Sequence, residues 1–426
     1  MQVQDETSPQ GLLAGYRVLD LADEKGAYCG RVLGDLGADV IKVEQPGGDP
    51  ARALGPFYRA QEHPEKSLWW FFHNANKRGI TLDIRSDEGR GLLRRLLRDT
   101  DLLIESFGPG VMAELGLGYD DLAAINPRLV MVAISHFGES GPYRDYLGSD
   151  LVDMCMGGYA YVVGYSDGPP MRIAAPHAYT QAGAQAATGA MTALYEAQLS
   201  GRGQHVDVSI QECIINTMNN TVASADITGT IIRRGGAGGA AGGGQRRRNL
   251  PGLWPCKDGH VNYMVSGAGP VTNNVEALVA WMDEEGMADV AKRYDLDKMG
   301  PQEMAALSEE EMTRLEGEFA RFFASHTKQQ LWEGAVQRRM LLAPENSPRD
   351  LLEMEHLRAR EAFQPVFHPE LGEELTYPGP FVKIPGAPIS IRRRAPLIGE
   401  HNEEIYVEGL GLSADELNAL QEAGVV

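Results

Sequence analysis

The sequence predicts an α/β protein, with a large open parallel sheet followed by a smaller α+β domain. Three observations carry this expectation. Short apolar strands alternate with amphipathic helices over the first half of the chain, a glycine-rich break interrupts it, and acidic helical segments follow the break.

The first βαβ unit is compact. Tyr16-Arg17-Val18-Leu19-Asp20-Leu21 and Ala38-Asp39-Val40-Ile41-Lys42-Val43-Glu44 are apolar strands. Between them Tyr28 to Leu36 spaces Val32, Leu33 and Leu36 as a helix does, and Gly37 closes it. Strand, helix and strand within about 30 residues imply parallel pairing through a right-handed crossover. The pattern repeats. Arg78 to Ile84 reads as extended, and Glu88 to Arg98 as a helix with Leu92, Leu93, Leu96 and Leu97 on one face. Leu102-Leu103-Ile104-Glu105 and Leu129 to Ile134 then read as strands. A dinucleotide-binding fold begins in the same way, but the turn Ala22 to Gly30 lacks the GxGxxG spacing that admits a pyrophosphate. Nicotinamide and flavin chemistry are disfavoured on that ground.

Composition changes at Arg233 to Arg248, a glycine run flanked by arginines that fits neither strand nor helix. By composition alone it is a flexible linker. Beyond it Trp254 to Tyr263 reads as a hairpin, and acidic, Met-rich helices run from Val275 to about Leu341. Short proline-rich strands and a last helix, Ser413 to Ala423, complete the chain. The expected organisation is a large α/β domain over 1–210, a linker over 211–234, a small domain over 235–341, and a return to the large domain over 342–426.

The 426 residues suit two domains, and 43% hydrophobic content suffices for their cores. A net charge of -20 argues against nucleic-acid or anionic-membrane partners, and obliges any polyanionic ligand to rely on local bases or backbone amides. Cys29, Cys155, Cys213 and Cys256 have no CxxC spacing, so they read as four reduced thiols and not as a metal site. The polar segment Met1 to Gln10 is no signal peptide, and no apolar run approaches the roughly 20 residues of a membrane helix. The expected address is the cytosol.

A set of motifs stands in order along nearly the whole chain: Val18-Leu19-Asp20-Leu21, Gly37 to Glu44, Asn76-Lys77-Arg78-Gly79-Ile80-Thr81-Leu82-Asp83, Phe107-Gly108-Pro109-Gly110, Leu115 to Tyr119, Asn126-Pro127-Arg128-Leu129, Gly201 to Ser209 and Ala395 to Asn402. Each is weak alone. Together they resemble the class III coenzyme A transferases (the CaiB/BaiF type, formyl-CoA transferase among them), and they match least between about Glu276 and Leu341. The resemblance implies two chains interlocked like rings, with coenzyme A or an acyl-CoA as substrate and no permanently bound cofactor. By position it places coenzyme A against Leu82, Arg85, Ser106 and Phe107, with Arg85 suited to phosphate or adenine. Read from sequence alone, Arg85 is equally a solvated charge.

The resemblance also implies a chemistry that this chain departs from. In the family an aspartate carboxylate attacks the donor thioester to give a mixed anhydride. The returning thiolate then forms an enzyme-bound thioester, from which an acceptor carboxylate takes the coenzyme A. Counting back without gaps from Gly201-Arg202-Gly203-Gln204 puts Tyr179 at that aspartate's position, and its neighbours Ala178 and Thr180 are no acids. A phenol with an ordinary pKa near 10 is a poor replacement. The carbonyl-polarising glutamine of formyl-CoA transferase falls on Glu24 or Lys25, and two nucleotide-binding arginines fall on Gln45 and Glu114. The run containing Gly242, Gly243 and Gly244 matches the loop that covers that enzyme's intermediates.

Two residues are candidates to compensate. Asp150 falls where the family lines its pocket with an acid, although an acid there also suits a helix start. His177 could serve as a base, although a lone histidine is more often structural. Proton transfer of the racemase type needs a His/Asp pair, and the Asp is the residue that Tyr179 replaces. Some members of the family pair an aspartate-bearing chain with one that lacks it. Pro176-His177-Ala178-Tyr179 points to the lacking chain of such a pair, with succinyl-CoA as donor and benzylsuccinate as acceptor. The expected partner is then a homologous aspartate-bearing subunit. The alternatives are an active homodimeric transferase using Asp150, or a non-catalytic acyl-CoA-binding or regulatory protein.

Overall fold

A computed structural model describes residues 11–165, 168–234, 252–263, 274–296 and 306–426. The chain divides into two compact units. The first comprises 1–158, 173–217 and 355–426, and the second 159–172 and 218–354.

The first unit is built on a six-stranded sheet: β1 Arg17–Asp20, β2 Asp39–Glu44, β3 Lys77–Thr81, β4 Leu102–Glu105, β5 Val130–Ser135 and β6 His205–Ser209. Its order is β3-β2-β1-β4-β5-β6, with every neighbouring pair parallel. β4 and β5 are buried along their whole length, as strands covered on both faces must be. Helix α1 (Ala27–Asp35) makes the first crossover, from β1 to β2, and α3 (Asp87–Leu97) returns from β3 to β4. Two right-handed crossovers running in opposite directions place these helices on opposite faces. Leu92, Leu93, Leu96 and Leu97 of α3 pack on Leu19, Ile41, Ile80 and Leu103.

The expected elements are present with small shifts. β3 starts at Lys77 and stops at Thr81, short of the expected Ile84. There Asp83 turns the chain, its carboxylate accepting from the Arg85 amide (3.0 Å) and its carbonyl from the Ser86 amide (3.2 Å). Ser86 then caps α3.

The opposite face is covered by α5 (His177–Ser200), which packs on α1, β5 and β6. Gly183 makes that crossing possible, because a Cβ there would lie 2.8 Å from the Tyr28 Cβ. Helix α4 (Asp150–Met156) and helix α6 (Ile210–Asn216) pack against α5. Helix α2 (Leu68–Asn74) carries Trp70 and Phe71 into a core shared with the antiparallel pair β10 (Phe363–His368) and β11 (Glu373–Pro378).

The second unit holds the expected hairpin as β7 (Leu253–Cys256) and β8 (Gly259–Tyr263), joined antiparallel by β9 (Leu342–Pro344). Helices α7 (Asn274–Glu284), α8 (Glu309–Ala324) and α9 (Lys328–Arg338) supply its core through Leu278, Trp281, Leu315, Phe319, Phe323 and Leu331, packed with Trp254 and Tyr263. Gly242, Gly243 and Gly244 lie outside the described residues. All four cysteines are free. No helix among the described residues is long and apolar enough to cross a membrane.

A buried ion pair joins the sheet to its helices. Lys77 Nζ donates to Asp20 Oδ2 (2.7 Å), to the Ala27 carbonyl (2.9 Å) and to Asn74 Oδ1 (2.9 Å), and neither charged side chain is exposed. Lys77→Met leaves Asp20 charged and unpaired in a dry site. In denaturant titration it is expected to lose about 3–5 kcal/mol of stability. Replacing both partners together, Lys77→Met with Asp20→Leu, is expected to lose less.

Candidate active-site crevice

In an open parallel sheet, ligands bind beyond the carboxyl ends of the strands, where the strand order reverses. Here the reversal lies between β1 and β4. The crevice is therefore lined by the residues after β1 (Asp23, Glu24, Lys25) and after β4 (Ser106, Phe107). The two loops are tied together: Ser106 Oγ donates to Asp23 Oδ1 (2.8 Å) and accepts from the Asp23 amide (2.9 Å). Lys25 pairs with Asp23 on the same turn. This strand order is the one used by dinucleotide-binding folds, but the turn is not theirs. A Cβ on Gly26 would stand 2.7 Å from the Ala22 Cβ, so the turn is closed on itself.

The residues expected to contact coenzyme A come to this edge. Leu82 follows β3, and its side chain is buried in the core, which leaves only its backbone for a ligand. Arg85 is exposed at the entrance to α3, its amide held by Asp83. Ser106 is buried, and the Phe107 amide donates to Glu105 Oε2 (2.7 Å). Gln45 and Glu114 are exposed and carry no positive charge for a nucleotide.

The remaining wall comes from β5, α4 and α5. Tyr179 is half-buried in the first turn of α5. Burial raises its pKa well above the ordinary phenol value, and the carboxylates of Asp153, Glu24 and Asp150 raise it further against one backbone hydrogen bond from Asp150. At neutral pH this side chain is a phenol and not a phenoxide. Burial, then the charge of Asp23, also push the Glu24 carboxyl up.

Asp150 is held by structural contacts at the starts of two helices. It stands in the first turn of α4, which Ser149 caps, and its Oδ1 accepts from the Ala178 amide at 2.8 Å. That bond satisfies one of the amides left open at the start of α5. Its other oxygen, Oδ2, is buried with no hydrogen-bond partner among the described residues. His177 is the first residue of α5.

The histidine that the structure pairs with a carboxylate is a different one. His136, directly after β5, shares a 2.8 Å hydrogen bond between its Nδ1 and Asp153 Oδ2. Asp153 is fully buried, while the His136 side chain is 18% exposed. Gly148 makes room for the ring, since a Cβ there would fall 2.3 Å from the imidazole Cγ. The Tyr179 ring lies 6.2 Å from it, centroid to centroid. This His/Asp pair is assembled from residues 17 apart in sequence, and neither of them stands at the position of Tyr179. The helical spacing from Asp150 to Asp153 is a local signal, but nothing local connects Asp153 to His136.

The protein-family model for CoA-transferase family III matches residues 13–402. The chain belongs to that family. It is 36% identical to the subunit BbsE of succinyl-CoA:(R)-benzylsuccinate CoA-transferase from Thauera aromatica, over 96% of this chain and 97% of the relative. It is 32% identical to a succinyl-CoA–D-citramalate CoA-transferase of Chloroflexus aurantiacus, over 98% and 99% of the two chains. Among solved structures, a CaiB/BaiF family protein from Brucella suis superposes with a TM-score of 0.79 at 25% identity, covering 94% of this chain and all of its own.

Glu105 gives the crevice a pH signature. Burial pushes its carboxyl up to about 8, against the hydrogen bond from the Phe107 amide. The unfolded chain loses this proton near pH 4.5, while the folded chain keeps it until about 8. Between those values the native state binds more protons, so stability falls as pH rises. Glu105→Gln is expected to flatten that fall, and to raise the melting temperature more at pH 8 than at pH 5.

Proposed function

We propose that this chain is the subunit without the transferring carboxylate in a two-chain class III CoA-transferase. The reaction moves coenzyme A from an acyl-CoA such as succinyl-CoA to an organic-acid acceptor such as benzylsuccinate. The observation that carries this reading is a tyrosine, Tyr179, in the first turn of α5, where burial favours the neutral phenol. A carboxylate can accept an acyl group and give it up again because the exchange is close to isoenergetic. A neutral phenol has neither the nucleophilicity nor the leaving ability. The similarity to a named transferase subunit supports the same reading.

On this reading the acyl-CoA lies along the crevice, held by backbone groups at Leu82, Ser106 and Phe107 and by the Arg85 guanidinium at its phosphates. The homologous partner contributes the carboxylate that forms the anhydride and thioester. The two chains interlock as a ring. A second reading, a homodimer reacting through Asp150, draws on the buried oxygen of that residue that has no hydrogen-bond partner.

Co-expression with an aspartate-bearing homologue, native mass spectrometry and a transfer assay from succinyl-CoA to benzylsuccinate test the proposal. The expected result is a mixed complex that transfers and a single chain that does not, with Tyr179→Phe leaving the rate of the complex unchanged. An active homo-oligomer silenced by Asp150→Asn would establish the second reading instead. Loss of transfer in Tyr179→Phe with assembly intact would refute both.

A further inference from the structure

Transfer by a partner's carboxylate leaves one reactive arrangement in the crevice unused, the pair of His136 and Asp153. With Nδ1 donating to Asp153, the neutral imidazole presents Nε2 as an acceptor. Gly148 leaves room for the imidazole, the Tyr179 ring lies 6.2 Å from it, and the His136 side chain remains partly exposed. Asp153 itself is dry, and its second oxygen has no hydrogen-bond partner among the described residues. Its hydrogen-bonding capacity is therefore directed to one purpose, the orientation of His136. The Asp153 carboxylate, the His136 imidazole and the Tyr179 ring thus lie side by side.

Resting on the reading that acyl-CoA binds in this crevice, the chemistry changes once the aspartate is gone. A carboxylate at position 179 would intercept the acyl group as an anhydride. A phenol cannot, and water becomes the available acceptor. We propose that His136, positioned by Asp153, is a general base that gives this chain an acyl-CoA hydrolase activity. Nε2 takes a proton from water as the water oxygen bonds to the thioester carbonyl carbon. The C–S bond breaks, the thiolate departs with its electron pair, and the imidazolium returns the proton to sulfur. The products are the free acid and coenzyme A, with no oxidant or reductant required. The Tyr179 hydroxyl is the donor at hand for the carbonyl oxygen as negative charge develops there. Asp153 acts through His136 and is a positioning residue.

The test uses the purified chain with succinyl-CoA and benzylsuccinyl-CoA. Thiol release is followed with Ellman's reagent, and binding is measured separately by calorimetry. His136→Gln keeps an N–H donor for Asp153 but offers no base. It is expected to slow thiol release about 100-fold while leaving the dissociation constant unchanged. Asp153→Asn is expected to lower kcat and leave KM in place, a split that a general loss of structure would not produce. Binding with thiol release no faster than in buffer overturns the proposal and leaves the acyl-CoA reading standing. So does hydrolysis by His136→Gln at the wild-type rate. Failure of both thioesters to bind overturns the acyl-CoA reading and the hydrolase proposal together.

Discussion

The pair formed by Lys77 and Asp20 sets the geometry on which the crevice depends. One ammonium, fully buried, is shared among the end of β1, the first carbonyl of α1 and the side chain of Asn74 at the end of α2. Burial lowers the pKa of this lysine, and Asp20 opposes that shift. The same carboxylate accepts from the Ala22 amide at 3.0 Å, so it also starts the turn that leads to Glu24 and Lys25. Lys42 braces that turn from β2, donating to the Ala22 carbonyl at 2.6 Å and pairing with Asp49. Breaking such a pair strands a charge in a medium that cannot solvate it. The loop after β1 is thereby held closed at the point where a dinucleotide-binding protein would open it to phosphate.

With that turn fixed, the acidic character of the crevice follows from the ends of the strands. Glu105 is the last residue of β4, His136 follows β5, and Asp150 and Asp153 lie one helical turn apart on α4. Burial acts on Glu105, Asp153 and Glu24 in the same direction, because a low-dielectric wall penalises the charged form of each. Glu105, Asp153 and Glu24 all shift upward. Tyr179 sits among them, and its proton is held for the same reason. In such a setting a phenol is a hydrogen-bond donor.

Much of this architecture was legible in the sequence, because strands and helices of an open sheet are set by short-range periodicity. The first βαβ unit, the Trp254 to Tyr263 hairpin and the terminal helix all stand within a few residues of their expected bounds. β3 was read too long, since the turn made by the Asp83 carboxylate and carbonyl has no hydrophobic signature. The site was legible only in part. Tyr179 departs from the family pattern and Asp150 matches it, whereas His136 carries no such signal, because its partner lies in another element.

The sequence by itself determined the α/β class, the order of elements in the parallel sheet unit, the family, and the absence of an acid at position 179. These depend on local patterns and on aligned motifs. Tertiary structure alone decided which polar side chains meet. Lys77 reaches Asp20 across 57 positions, the Ala178 amide reaches Asp150 across 28, and His136 reaches Asp153 across 17. The physical reason is that the energy of a buried charge depends on what surrounds it in space, and neighbours in space are chosen by the folding of the sheet.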